Sequence, residues 1–169
     1  MNGSISELMI GRSGSPFGTL SYAYSRRGLV AMGFTDRPDG LHLATYGVKI
    51  TSDKDSDQVQ TALLEYFSGR FTALDELELD LPNTNFYDTC RRKLRDVKAG
   101  TTISYSGLAT LAGRPNAYRS AATACSSNPV ALVVPCHRVL PSSGNVGKYG
   151  FGTEVKAGLL KLEGAHFID

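Results

Sequence analysis

Cysteine is scarce in this 169-residue chain, and the little there is excludes two structural devices. Cys90, Cys125 and Cys136 make neither an even-numbered framework nor a C-x-x-C pair, which argues for reduced thiols and against a structural zinc site. Histidine is as sparse: His42, His137 and His166 are too scattered for a metal cluster, so no metal and no cofactor is expected. No apolar run approaches the roughly 20 residues that cross a bilayer. The opening Met1-Asn2-Gly3-Ser4-Ile5-Ser6-Glu7 lacks the basic and apolar regions of a signal peptide. A cytoplasmic protein with no membrane partner is the expectation. Internal repeats and low-complexity tracts are absent too, and the length suits one large domain or two small ones. Neither sign of charge dominates, the net being +2. The distribution is uneven, however. Acids concentrate from Asp75 to Asp80, whereas Arg91-Arg92-Lys93, Arg95, Lys98, Arg114, Arg119 and Arg138 make the second half positive. That surface is compatible with a polyanionic partner.

What is present reads as two parts. Up to about Tyr46 the chain offers short β-like runs at Leu8–Ile10, Gly18–Tyr24, Leu29–Phe34 and Leu41–Tyr46, separated by Gly- and Pro-containing turns. Three or four antiparallel strands fit. Ser56 to Phe67 reads as a helix with Val59, Leu63, Tyr66 and Phe67 on one face, ended by Gly69. A connector runs to Leu81-Pro82, where the boundary is placed: 1–81 an N-terminal α/β domain, 82–169 a mostly helical domain.

In the second part, Asn83-Thr84-Asn85 offers N-caps for a helix through Phe86, Cys90, Leu94 and Val97, closed by Gly100. Ser104 caps the next, with Tyr105, Leu108, Ala109 and Ala112 on its stripe, and Gly113 stops it. Pro115 opens a third helix near its first turn, alanine-rich from Asn116 to Ser126. The last two form a helix-turn-helix. Their small residues, with one long cation at Arg119, fit either a helix lying close in a groove or a tightly packed core helix with a solvated arginine. Thr153 caps a final helix whose inner face carries Val155, Leu159 and Leu162.

The chemistry concentrates at Pro135-Cys136-His137-Arg138. The run before it, Val130 to Val134, has the length and β-branching of a short buried strand. Pro135 cannot continue a strand ladder, so Cys136 should emerge at a strand end. A thiol held there beside an imidazole is a candidate nucleophile, although a lone cysteine near a histidine also serves as a small buried hydrophobe. Downstream, Gly147-Lys148-Tyr149-Gly150-Phe151-Gly152 is a loop able to form one wall of a pocket for a flat ring.

Pro135-Cys136-His137-Arg138-Val139, preceded by Asn128-Pro129 and followed by Tyr149, Lys156, Leu159-Leu160 and Glu163-Gly164, resembles the O6-alkylguanine-DNA alkyltransferase family. Leu64-x-Tyr66-Phe67-x-Gly69, Thr84-x-Phe86, Thr102-Ile103-Ser104-Tyr105 and Gly113-x-Pro115-x-Ala117-x-Arg119 extend the likeness over most of the chain. The resemblance implies a small N-terminal antiparallel sheet with a helix (RNase H-like), then a helical domain with a winged-helix-like element. It implies a protein that moves an alkyl group from guanine O6, with thymine O4 as a second candidate, in double-stranded DNA onto its own cysteine, once per molecule. A free thiol is only about 3% ionised at pH 7, so this displacement needs an activated sulfur.

By resemblance, His137 activates Cys136 through a water, Glu163 orients His137, and Asn128 ties the cysteine loop in place. Tyr105, Val139, Tyr149, Gly150, Phe151 and Lys156 surround the base. Arg119 fills the gap left by the flipped nucleotide, with Ala117, Ala122, Thr123 and Arg138 also at the DNA. The protein is expected to be a monomer, possibly cooperative on DNA, at the nucleoid or in the nucleus according to its source. Arg91, Arg92 and Lys93 suit phosphate contacts and a solvated helix face equally.

Three positions depart from the family's pattern. Cys90-Arg91 stands for Val-Trp, and Ala122-Thr123 for a Gly-Gly pair. Tyr149-Gly150-Phe151-Gly152 stands for Tyr-x-Gly-Gly, so Phe151 is expected to narrow or reshape the pocket. Two other function classes remain in view: a module that binds alkylated DNA without repairing it, disfavoured by the presence of Cys136, and a cysteine hydrolase, for which no oxyanion motif is visible.

Overall fold

A computed structural model describes residues 7–41, 43 and 50–169. The chain divides into two compact units, Met1–Leu81 and Pro82–Asp169.

The first unit is built on a four-stranded sheet of β1 (Leu8–Ser13), β2 (Leu20–Tyr24), β3 (Leu29–Phe34) and β4 (Ile50–Asp53), in the order β3-β2-β1-β4. β1-β2 and β2-β3 pair antiparallel, but β4 lies parallel to β1, so the sheet is mixed and not the antiparallel one expected. The cause is connectivity. A hairpin would have laid β4 beside β3, whereas β4 stands at the opposite edge of the sheet beside β1, and a parallel pairing needs a crossover in place of a hairpin. Most of the expected run Leu41–Tyr46 lies outside the described residues. Leu8, Ile10, Ala23, Val30, Ala31 and Leu41 form a buried cluster, with Leu43 packed against it.

Helix α1 (Asp57–Phe67) begins where Ser56 accepts from the Val59 amide, and its Val59, Ala62, Leu63 and Tyr66 are buried. Tyr22 of β2 anchors the start of α1, its hydroxyl accepting from Ser56 N and Gln60 Nε2 at 3.0 Å each. Gly11 of β1 makes room for that ring, since a Cβ there would fall 2.3 Å from Tyr22 Cζ.

The second unit contains α2 (Phe86–Leu94), β5 (Ile103–Ser104), α3 (Tyr105–Leu111), α4 (Tyr118–Ser126), β6 (Val139–Leu140) and α5 (Thr153–Leu162). Asn85 is the cap of α2, in a reciprocal capping box with Asp88. α2 stops at Leu94 and not at Val97: residues 95–97 turn away and present the Val97 carbonyl to Arg138. Ser104 caps α3 on the Gly107 amide, and α3 packs against α4. α4 opens at Tyr118, later than expected. Pro115 sits instead at the second position of a turn closed by Ala117 N donating to Arg114 O, a place its fixed φ suits. α5 begins after Gly152 and Thr153 lies inside it, with no side-chain cap.

The expected strand at 130–134 is a buried turn. Val134 N donates to Val130 O at 3.0 Å, and Leu132 has φ 72°, the one non-glycine at positive φ among the described residues. An apolar run that is buried all round has no periodicity to distinguish a strand from a turn. What selects the turn is Asn128. Its Oδ1 accepts from Val130 N at 3.1 Å and its Nδ2 donates to Val134 O at 2.8 Å, taking the part a neighbouring strand would play.

Candidate active site

Cys136 heads a short 3-10 turn, Cys136–Arg138, that follows directly on this loop. Its thiol is 8% exposed and accepts a hydrogen bond from Asn128 Nδ2 at 3.2 Å. Asn128 therefore folds the loop and touches the sulfur with the same amide. Leu132, which costs about 1–3 kcal/mol in its left-handed conformation, is held there by complete burial.

His137 is fully buried, with Nε2 2.9 Å from Glu163 Oε1 at the end of α5. Arg138 closes on the same carboxylate: Nε reaches Oε2 at 3.0 Å and Nη2 reaches Oε1 at 2.8 Å, while Nη1 donates to Val97 O at 2.6 Å. Arg138 is 5% exposed with every nitrogen committed, so the DNA contact expected of it is not available. The pattern of basic residues could not reveal this, because a buried arginine paired in tertiary structure reads in sequence like a surface one.

The electrostatics follow from these contacts. Burial works against ionised Glu163, but the hydrogen bonds from His137 and Arg138 prevail and hold its pKa to about 2. Burial also pushes His137 below its ordinary value, overcoming the attraction of Glu163, so the ring is neutral at pH 7. An ionised carboxylate only accepts, so Nε2 carries the ring proton and Nδ1 carries a lone pair. Nδ1 is buried without a hydrogen-bond partner among the described residues. The site thus holds a neutral imidazole whose basic nitrogen carries a lone pair.

The Cys136 thiol is raised by burial, with the Asn128 amide, Lys156 and Arg91 acting in the opposite direction. It rests protonated and needs a base. Lys156 of α5 is 1% exposed, and its Nζ donates to Val139 O at 2.7 Å and Lys148 O at 3.4 Å, fastening β6 and the 147–152 loop to α5. Burial lowers its pKa, and the neighbouring thiols Cys136 and Cys125 oppose that.

β6 pairs in parallel with β5, Val139 opposite Ile103 and Leu140 opposite Ser104, which carries Tyr105 to the same region. The Tyr105 hydroxyl is raised by burial and by Cys125 and Cys136, so it stays a phenol. Tyr149 and Phe151 meet edge to face with ring centroids 5.6 Å apart, and Gly150 between them is exposed. Arg119 is exposed on α4, its guanidinium 5.8 Å from the centre of the Tyr118 ring. Ala117 and Ala122 are half-buried. Thr123 is exposed, with its hydroxyl turned back onto Arg119 O.

The expected residues therefore fall into two groups. Asn128, Cys136, His137, Val139, Lys156 and Glu163 are joined by contacts, and Tyr105 is within electrostatic reach of the sulfur. Arg119, Ala122 and Thr123 lie on α4 with Ala117 at its N-cap, away from direct hydrogen bonding with the sulfur. Sequence reasoning missed the Val97 carbonyl and the structural role of Arg91, which bonds to the C-terminal end of α4.

This arrangement has known counterparts. Residues 85–165 match the family described as 6-O-methylguanine DNA methyltransferase, DNA binding domain. A methylated-DNA–protein-cysteine methyltransferase of Methanosarcina barkeri is 32% identical over 149 residues, 88% of this chain and 92% of that protein. Among solved structures, the Mycobacterium tuberculosis OGT in complex with DNA superposes with a TM-score of 0.73 at 29% identity, covering 92% of each chain. The O6-methylguanine-DNA methyltransferase of Pyrococcus kodakaraensis gives 0.70 at 28% identity, covering 94% of this chain and 99% of that one. The relative and the two solved structures span both units, and the solved structures share the mixed α+β fold. With a buried cysteine followed in the chain by a histidine paired to a glutamate, this chain belongs to the methylated-DNA–protein-cysteine methyltransferase family.

Proposed function

We propose that the protein repairs DNA by moving an alkyl group from guanine O6 to Cys136 Sγ, one group per molecule. The observation that carries this reading is the neutral His137, whose Nδ1 lone pair is kept available by the Glu163–Arg138 pair next to a buried thiol.

The reaction is a displacement at an sp³ carbon. The Cys136 proton passes through one water to His137 Nδ1, and the imidazolium that forms faces an ionised Glu163, which stabilises it. The sulfur forms a bond to the alkyl carbon as the C–O6 bond breaks and its electron pair leaves with the base. Guanine takes up a proton from the Tyr105 hydroxyl, restoring its normal form, and the proton held by the His137 imidazolium returns through solvent to the phenolate. The Val139 carbonyl has one lone pair on Lys156 and a second for the exocyclic amine. Water does not hydrolyse the thioether C–S bond, so the acceptor is consumed.

The base must leave the duplex to reach a sulfur this buried, at a cost of a few kcal/mol. Arg119 enters the minor groove in its place, and the small residues of α4 let the helix lie close. On this reading the first unit is RNase H-like and the second carries a winged-helix-like element. The protein acts as a monomer, and O4-alkylthymine is a secondary substrate.

Intact-mass measurement after incubation with O6-methylguanine duplex tests the proposal. One methyl retained per molecule, located on Cys136 and absent in Cys136→Ser, is expected. Binding without modification would instead mark a recognition module. Turnover beyond one equivalent would mark a hydrolase.

A further inference from the structure

Arg91 stands where the family pattern has tryptophan, and its side chain is committed to one end of α4. Nε donates to Ala124 O at 3.3 Å, and Nη2 to Ser127 O at 3.1 Å and Ser127 Oγ at 2.7 Å. Nη1 meets Asp88 Oδ1 at 3.3 Å, and Asp88 is fixed in turn by Thr84 and Asn85 at the start of α2. The last carbonyls of a helix lack intrahelical partners and carry the negative end of its dipole, so a cation is favoured there. With the side chain only 14% exposed and four partners engaged, neither a solvated face nor a phosphate contact accounts for it.

The position matters because of what comes next in the chain. Ser127 is followed by Asn128, whose amide holds Val134 O and the Cys136 sulfur. One guanidinium thus ties α2 to the point where α4 turns into the nucleophile loop. We infer that Arg91 is a positioning residue for Cys136: by clamping the end of α4 to α2 it keeps Asn128, and through Asn128 the sulfur, in register with the helix that carries Arg119. The inference rests on the alkyl-transfer reading.

The groups around Cys136 are Tyr105 of α3, Cys125 of α4, Lys156 of α5, Arg91 of α2 and His137 on its own turn. Tyr105 and Cys125 are raised and stay neutral at pH 7, while Lys156 and Arg91 both favour the thiolate. Removing Arg91 therefore loosens the amide on the sulfur and withdraws one of two cations.

The test measures, against pH, single-turnover methyl transfer from an O6-methylguanine duplex and alkylation by iodoacetamide, in the parent, Arg91→Lys and Arg91→Gln. Arg91→Gln is expected to slow both reactions about tenfold, the scale of a displaced rather than a missing reacting group, and to move both pH midpoints upward. Arg91→Lys keeps the charge without the planar fork and is expected to recover the midpoint but only part of the rate. A folded Arg91→Gln with parental rates and midpoints overturns the inference. So does a loss confined to the duplex reaction, which would mean a DNA-docking role. Should Arg91→Gln fail to fold, Ser127→Ala removes one acceptor of the clamp. A shift in the same direction then supports the inference, and an unchanged profile overturns it. A parent that takes no methyl from the duplex sinks the alkyl-transfer reading alone, and the iodoacetamide arm still decides the role of Arg91.

Discussion

Arg138→Met separates two roles that look alike in sequence, a DNA contact and a buried counter-ion. In the structure the substitution removes three hydrogen bonds, two to Glu163 at 2.8 and 3.0 Å and one to Val97 O at 2.6 Å, and leaves a buried carboxylate with His137. Stripping one partner from a buried ion pair costs about 3–5 kcal/mol. The titration of Glu163 gives a similar size: a pKa of about 2 against an ordinary 4.5 is worth on the order of 3 kcal/mol, shared between Arg138 and His137. The sign follows from the direction. A carboxylate lowered by folding contributes its stability in full above pH 4.5 and loses it as pH falls towards 2. Urea unfolding at pH 7 should therefore show Arg138→Met destabilised by about 3–5 kcal/mol. Between pH 4.5 and 2 its stability should fall less steeply than the parent's, because Glu163 no longer starts so low. DNA affinity measured against salt should keep its slope, whereas loss of a phosphate contact would reduce it by about 0.9. A variant of parental stability with a reduced salt slope would refute the counter-ion role.

Three further outcomes are expected. Asn128→Ala strands Val130 N in the interior, takes one of two donors from Val134 O, which keeps the Cys136 amide, and frees the sulfur, costing about 1–3 kcal/mol for the orphaned amide. Transfer to Cys136 should slow with it, read by denaturation and single-turnover kinetics; a variant as stable and fast as the parent would contradict the loop role given to Asn128. Phe151→Gly removes a ring packed edge to face on Tyr149, and should raise the rate with O6-benzylguanine relative to O6-methylguanine. An unchanged ratio would show that Phe151 does not shape the pocket. Gly11→Ala places a methyl against the fully buried Tyr22 ring and should cost about 1–3 kcal/mol by thermal denaturation, as overpacking does. A neutral effect would mean the ring has room to move.

Much of the site is legible in the chain because it is local. Pro135-Cys136-His137 brings thiol and base together within two residues, and Asn128 is near enough in sequence to act on the same loop. The caps at Ser56, Asn85 and Ser104 are also local, since each hydroxyl or amide reaches an amide three residues on. The strand expected at 130–134 failed for the opposite reason. Its two ends are held by one side chain and its interior by turn hydrogen bonds, and apolar residues buried on every side leave no pattern from which to choose.

Sequence by itself determined the candidate residues for the chemistry, the family they resemble, and where the helices lie to within a turn. Only the tertiary structure decided what three arginines are for. Arg119 is exposed on α4, Arg138 is spent on Glu163, and Arg91 is spent on the end of α4. It also decided that β4 runs parallel to β1. The pairings of Arg138 with Glu163 and Val97 and of Arg91 with Ser127 depend on partners 25 to 41 residues away in the chain. A guanidinium has the same charge and reach wherever it stands, so its role is set by which carboxylates and carbonyls the fold brings to it.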